Sequence, residues 1–290
     1  MMMNDVTTDS RLDRIVELAL LEDSGMGDLT SDALVSDNQV GTGRLICKEQ
    51  GVIAGLEVAA LVFRHCDPGL TFAPVIADGV PVDRLQVLAT VQGNVKSILR
   101  GERVALNFLQ RMSGIATLTR SYVEAVAGTG ARIADTRKTA PGLRLVDKLA
   151  VRLGGGVNHR FGLDDMILIK DNHIIAAGGI TKAVAACREY LSLKRLGISI
   201  EVETRNLAEV QEALQCEGLR RIMLDNFSIA EIHEAVRLIN YLVEVEASGG
   251  ITLANIRSVA ETGVDFISVG ALTHSAKALD ISLELSAIWS

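Results

Sequence analysis

The sequence predicts an α/β protein in two parts: an α+β unit over about the first 115 residues, then a parallel α/β barrel or part of one. Three observations carry this reading. From Ile133 onward, short apolar runs recur at spacings of about 33 and then about 22 residues, each followed by a helical stretch, which is the rhythm of repeated βα units. Before that point the runs are irregular and mixed with helices. The chain has 290 residues, 48% hydrophobic and only 3% aromatic, so its core is aliphatic and large enough for one big domain or two. An open doubly wound sheet is the alternative for the second part.

Residues 11–21 form an amphipathic helix because Leu12, Ile15, Val16 and Ala19 share one face, with Ser10 and Asp13 as a capping pair. Strand-like runs follow at Arg44–Lys48, Leu70–Val75 and Leu85–Val91, with a helix around Leu56–Phe63. A longer helical pattern spans Val95–Thr119, although Gly101 and Gly114 each weaken a helix interior by about 1 kcal/mol relative to Ala. After the turn Gly128-Thr129-Gly130 come the six apolar runs: Ile133–Thr136, Met166–Ile169, Ile198–Val202, Arg221–Leu224, Leu242–Val245 and Phe266–Val269. The tail Asp280–Leu285 alternates like a strand and is expected to return to the first part. The expected domains are therefore 1–116 joined by 275–290, and 117–274.

A formal net charge of −7 argues against a nucleic-acid partner, which would need a basic face. Residues 131–170 are the exception, with eight Lys/Arg against four Asp. A basic island in an acidic chain points to a small anionic ligand. Cys47, Cys66, Cys187 and Cys216 lie far apart with no C-x-x-C pair, which suits neither a disulfide framework nor a zinc site; buried thiols in a reducing compartment are expected. The first residues include early acids and no apolar stretch of signal-peptide type. No run reaches the roughly 18 apolar residues of a membrane span, so the expected location is cytoplasmic, without a membrane partner.

Every apolar run of the second part ends in polar residues: Asp135-Thr136-Arg137-Lys138, Lys170-Asp171-Asn172, Glu201-Val202-Glu203, Asp225-Asn226, Glu246 through Gly250, and Gly270-Ala271. In a β/α barrel the carboxyl ends of the strands converge on one mouth. If Ile200 and Val202 face the helices, Glu201 and Glu203 point inward, and the same phase turns Arg137, Lys170 and Asp225 inward. Unpaired charges there cost several kcal/mol each, so they meet one another in a structural network or meet a charged ligand. Arg137, Lys138, Arg160 and Lys170 with His159 suit carboxylates or phosphates. Ser248-Gly249-Gly250, opening a helix from Thr252, and Gly270-Ala271 suit a phosphate. Glu203 and Asp225 end neighbouring strands and suit ribose hydroxyls, or Mg²⁺ through waters. No tight His/Cys cluster suggests zinc or iron. Gly154–Gly156 follows a helix and is no dinucleotide fingerprint.

The segments ADTRKTAPGLR (134–144), GGGVNHRFGLDD (154–165), ILIKDNHI (167–174), IEVE (200–203), MLDN (223–226), EASGG (246–250) and SVGALTHS (268–275) closely resemble those of quinolinate phosphoribosyltransferases. LLEDSGMGDLTS (20–31) and GERVALNFLQRMSGIAT (101–117) extend the resemblance over essentially the whole chain. The departures, Ala140 and Ala247, touch no charged position. The resemblance implies an N-terminal α/β sandwich and an incomplete α/β barrel of the type II phosphoribosyltransferase kind. It implies a homodimer, or a multiple of dimers, in which the first domain of one subunit covers the partner's barrel mouth. It implies transfer of a phosphoribosyl group from phosphoribosyl pyrophosphate to quinolinate with Mg²⁺, giving nicotinate mononucleotide, pyrophosphate and CO₂.

By position, the resemblance implies that Thr136, Arg137, Lys138, His159, Arg160 and Lys170 contact substrate, with Arg103 reaching in from the partner subunit. Lys138, Lys170, Glu203 and Asp225 would be catalytic. Glu203 and Asp225 would face ribose and metal, directly or through water, and Ser248, Gly249, Gly250, Gly270 and Ala271 the 5′-phosphate. Two other readings of the residues stay open at this point: a Schiff-base aldolase using Lys170, and a non-catalytic protein that binds a phosphoribosyl ligand.

Overall fold

The computed structural model describes residues 9–288, so the reading of the chain's first residues lies largely outside the described part. The chain opens with α1 (Ser10–Ser24), whose N-cap is Asp9 rather than the expected Ser10. The Asp9 carboxylate accepts the Arg11 N–H at 2.9 Å and pairs with the Arg11 guanidinium. Then come α2 (Leu29–Leu34), β1 (Val40–Cys47), β2 (Gly51–Val52), α3 (Leu56–Cys66), β3 (Thr71–Pro74), β4 (Pro81–Val82), β5 (Val87–Asn94) and α4 (Val95–Ala125). Helix α2 escaped the sequence reading because it has six residues and no apolar period; its start is fixed by Asp28, which accepts the Ser31 N–H at 3.0 Å.

The second half runs β6 (Arg132–Ala134), α5 (Arg144–Leu153), β7 (Ile167–Ile169), α6 (Asp171–Ala177), α7 (Ile180–Lys194), β8 (Ile200–Thr204), α8 (Leu207–Leu214) and β9 (Leu219–Asp225). It continues through α9 (Ile229–Ile239), β10 (Glu244–Ser248), α10 (Ile256–Ala260), β11 (Phe266–Ser268) and α11 (Ala271–His274) to β12 (Ile281–Ile288). Each of the six apolar runs contributes residues to one of the strands β6 to β11.

The chain divides into two compact units: 1–120 with 139–155 and 273–290, and 121–138 with 156–272. The expected boundaries differ chiefly at 139–155, which groups with the first unit. Arg111 of α4 explains this. Its Nε and Nη2 each hold a carboxylate oxygen of Asp147 at 2.8 Å, and Asp147 is fully buried in α5. A buried carboxylate cannot be separated from its cation without a large desolvation cost, so α5 travels with α4.

In the first unit a four-stranded antiparallel sheet has the order β12-β1-β5-β3. The tail does return: β12 pairs with all of β1, from Val40↔Ile288 to Cys47↔Ile281. Leu45, Leu88, Leu106, Leu109, Leu279 and Ile281 form the core between sheet and helices. Gly114 is tolerated within α4 because a Cβ there would collide with the Lys277 carbonyl.

The second unit is a six-stranded parallel sheet of order β6-β11-β10-β9-β8-β7. The first strand lies beside the last, as barrel closure requires, whereas a doubly wound sheet reverses direction at an internal switch point. Among the described residues no ladder joins β6 to β7, so the barrel is incomplete. The free side of β6 is met by a single bridge, Ala134↔Val157. Of the cysteines only Cys47 is buried; Cys66 and Cys187, on the partly solvent-facing helices α3 and α7, and Cys216, in the turn after α8, are half-buried, which corrects the expectation of four buried thiols. No described helix is long and apolar enough to cross a membrane.

Candidate active site

Parallel register carries the first part of the site. Leu168 pairs with Glu201, so two residues further along, Glu203 on β8 and Lys170 just past the end of β7 fall on the same side. Lys170 is the residue between β7 and α6, and its ammonium is ion-paired with the Glu203 carboxylate. Glu203 is 8% exposed, whereas nearly half of the Lys170 side chain is open to solvent.

On the next strand Asp225 ends β9 and accepts the Asn226 side-chain amide at 2.8 Å. Asn226 is left-handed, with φ 58°, and its backbone N–H donates to the Ser248 carbonyl at 2.8 Å, tying the end of β9 to the end of β10. Gly249 sits against this tie at φ 92°; a Cβ there would collide with the Asn226 side-chain oxygen and lie 2.9 Å from its nitrogen.

The helix after Ser248–Gly250 starts at Ile256, not at Thr252. Asn255 closes the intervening loop, accepting the Thr252 N–H at 2.8 Å and donating to the Gly250 carbonyl at 3.0 Å. Any phosphate there would meet a glycine loop, not a helix start. Gly270-Ala271 enters α11 directly.

Arg137 corrects the strand-phase argument. Strand β6 ends at Ala134, and Arg137 lies three residues beyond, in a loop where alternation no longer holds. The loop nevertheless sets it near Arg160. Burial, reinforced by the Arg137 charge, lowers the Arg160 pKa. The Arg160 Nη1 donates to the Met166 carbonyl at 3.1 Å. The Arg137 Nε is buried without a hydrogen-bond acceptor. Lys138 is exposed, and its N–H donates to the Thr136 hydroxyl at 3.0 Å. Arg103 lies in the first unit, exposed on α4. Arg144, Lys148 and Arg152 also belong to that unit, so the basic island is divided between the two.

A second polar layer lies within the barrel. His159 Nε2 stands 3.1 Å from Glu201 Oε2 and 3.5 Å from Glu246 Oε1. Arg221 Nη1 holds Glu246 Oε2 at 2.6 Å and lies 3.9 Å from Glu201. Burial pushes both carboxyls up to about 7; around Glu246, the Glu201 charge adds to the rise, while Arg221 opposes it. The sequence reading turned Glu201 inward but gave Arg221 and Glu246 no role. The available signal was a charge flanked by apolar residues within a strand, Glu246 between buried Val245 and Ala247. The sequence showed no His/Cys cluster, yet His159, Glu201 and Glu246 place potential metal-ligand atoms within 4.8 Å of one another. The Arg221 guanidinium already supplies positive charge beside that group.

Fold and strand-end chemistry define an open α/β-barrel protein that gathers cations and carboxylates at the carboxyl ends of its strands. Residues 28–113 match the quinolinate phosphoribosyl transferase N-terminal domain, and residues 115–284 the C-terminal domain. The chain is 48% identical over 286 residues to the decarboxylating quinolinate phosphoribosyltransferase 1b of Nicotiana tabacum, covering 93% of this chain and 81% of that protein. It is 49% identical over 269 residues to a probable carboxylating nicotinate-nucleotide pyrophosphorylase of Synechocystis, covering 92% and 90%. The crystal structure of NadC from Streptococcus pyogenes superposes with a TM-score of 0.92 at 41% identity, covering 97% and 98%. The chain belongs to the quinolinate phosphoribosyltransferase family. The aldolase and non-catalytic readings are not favoured.

Proposed function

We propose that this chain transfers the phosphoribosyl group of phosphoribosyl pyrophosphate to quinolinate, forming nicotinate mononucleotide, pyrophosphate and CO₂. The observation that carries the reading is the Arg137–Arg160 neighbourhood, two guanidinium groups of like charge with a buried unsatisfied donor, in the same unit as the Lys170–Glu203 pair. Quinolinate is a dianion with carboxylates on adjacent ring carbons. Two guanidinium forks and an ammonium match it, and binding removes the repulsion between the cations.

Arg137, Arg160 and Lys170 orient the ring so that its nitrogen faces C1′ of the ribose; Thr136, Lys138 and His159 complete their surroundings. The bond from C1′ to the pyrophosphate oxygen breaks as the bond from nitrogen to C1′ forms. Glu203 and Asp225 stabilise the positive charge that develops on the ribose. Positioning does most of the work. The quaternised nitrogen then draws in the electron pair of the neighbouring ring–carboxylate bond, CO₂ leaves, and the ring carbon takes a proton. Ser248, Gly249 and Gly250, with Gly270 and Ala271, hold the 5′-phosphate by main-chain amides.

Glu203 and Asp225 are hard oxygen donors at the ends of adjacent strands, and such donors fit Mg²⁺, directly or through water. Bound there, Mg²⁺ would neutralise charge on the pyrophosphate. The working form in this proposal is a cytoplasmic homodimer, or a multiple of dimers, in which the exposed Arg103 completes the partner's pocket. The test is product analysis with quinolinate, phosphoribosyl pyrophosphate and Mg²⁺. Nicotinate mononucleotide and CO₂ in equal amounts, lost on chelation and restored by Mg²⁺, are expected; no product from folded protein would overturn the reading.

A further inference from the structure

Arg221 and Glu246 have no part in the transfer chemistry, yet with His159 they form a connected polar layer within the barrel. Glu246 is fully buried in the middle of β10. Register puts Arg221 opposite both Glu201 and Glu244, and Phe266 opposite Glu246. Arg221 is held on several sides: Nη1 by Glu246 at 2.6 Å, Nη2 by Glu244 at 3.2 Å, and its guanidinium carbon 3.7 Å from the Phe266 ring centroid. This fixes the Glu246 carboxylate, and its other oxygen faces His159 Nε2.

The opposite side of the imidazole is also engaged. His159 Nδ1 accepts the main-chain N–H of Arg160 at 2.8 Å. A ring nitrogen that accepts carries no proton, so the neutral ring carries its proton on Nε2, toward the two carboxylates. The main chain of His159 is held too, since its N–H donates to buried Asp135 at 2.9 Å.

We propose that Arg221 and Glu246 are positioning residues for the anion site: by holding His159 as the Nε2–H imidazole, they fix the main chain at Arg160 and so aim its guanidinium. This rests on the reading of Arg160 as a carboxylate ligand. A binding group must be held within roughly 0.5 Å and 10–20° to work well, and a loop residue such as Arg160 obtains that accuracy only from its supporting contacts.

The tests are Glu246→Gln and Phe266→Leu in the full chain. An alanine at 246 would strand a buried guanidinium, whereas Gln keeps the shape. Its single side-chain oxygen turns to Arg221, leaving its NH₂ facing His159 Nε2, which demands the opposite tautomer. Phe266→Leu loosens Arg221 without removing a charge. Long-range ¹H–¹⁵N correlation spectra of His159 should show Nε2 protonated in the wild type and that pattern displaced in Glu246→Gln. In both variants KM for quinolinate should rise about tenfold while KM for phosphoribosyl pyrophosphate stays within about twofold. An unchanged His159 pattern in Glu246→Gln, or KM values that move together in both variants, would overturn the proposal. Loss of quinolinate turnover by the wild type itself would count against the reading of Arg160 and of the reaction, while the His159 spectra would still decide whether the layer sets the tautomer.

Discussion

The ammonium of Lys170 and the carboxylate of Glu203 are ion-paired across the ends of two adjacent parallel strands, the acid buried and the base half open to solvent. The open member is the one a ligand can reach. Lys170→Ala is expected to lower kcat/KM by about 10²–10³-fold, the scale of one charged contact in a desolvated site. Steady-state kinetics beside thermal melts check this. Normal specific activity in a largely unfolded preparation would make the pair a structural network instead.

Arg137 lies close enough to Arg160 for its charge, added to burial, to disfavour the Arg160 cation. A dianion relieves that repulsion and a monoanion relieves only part of it. Nicotinate, which lacks the second carboxylate, should therefore be used at least about 100-fold less efficiently than quinolinate, because a cation and its buried donor stay unpaired. Competition assays with both acids measure the ratio. Equal turnover would contradict the assignment of both guanidinium groups to the ligand.

Gly249 touches Asn226 so closely that a side chain cannot fit, and its backbone is left-handed. Gly249→Ala should cost about 1–3 kcal/mol of stability from strain alone. It should also raise KM for phosphoribosyl pyrophosphate more than KM for quinolinate, since the loop is assigned to the phosphate. Urea unfolding and two-substrate kinetics report the two effects separately. A neutral substitution in both would remove the loop from the site.

Much of this was legible in the chain because βα repeats are written locally. Glu201, Glu203, Lys170 and Asp225 could be turned inward by alternation, since each lies on or at the end of a strand whose neighbours are apolar. Arg137 could not be placed that way; it lies beyond the end of β6, and a loop has no period. The expected helix start at Thr252 gives way to Ile256 because Asn255 uses its side chain to close the loop after Gly250. Arg221 and Glu246 were passed over because their meaning lies in pairing across three strands. Neither the α5 grouping nor the Arg111–Asp147 pair behind it leaves a local mark, as 36 residues separate the partners.

The raised carboxyls give a pH dependence of defined sign. Burial holds Glu246 and Glu201 at about 7 in the folded state, above the ordinary 4.5. Between those values the folded chain binds more protons than the unfolded chain, so these groups favour folding at the acid end and lose that contribution as pH rises through 7. The slope is at most about 1.4 kcal/mol per pH unit per group. Urea melts from pH 5 to 8 should show Glu246→Gln with a shallower decline than wild type, whatever its absolute stability. Parallel curves would mean that Glu246 does not take up a proton on folding.

The shared-site proposal turns on Arg103, which sits exposed between buried Val104 and Gly101 on α4. An exposed helical arginine would ordinarily be a solvated residue, and its substitution would change little. If it completes the partner's pocket, Arg103→Ala should abolish quinolinate turnover while the dimer persists. Arg137→Ala should be inactive for a different reason, having lost a cation of its own barrel. Mixing the two inactive proteins then separates the geometries. In a mixed dimer, the Arg103→Ala subunit has an intact barrel and receives an intact Arg103 from its partner, while the other pocket carries both lesions. Random exchange makes about half the dimers mixed, each with one working pocket of two, so activity should recover to about a quarter of wild type. Recovery on that scale, with subunit exchange confirmed by mass labelling, supports a pocket built from two chains. If exchange is complete and activity stays at zero, Arg103 lies in its own subunit's pocket or outside any pocket.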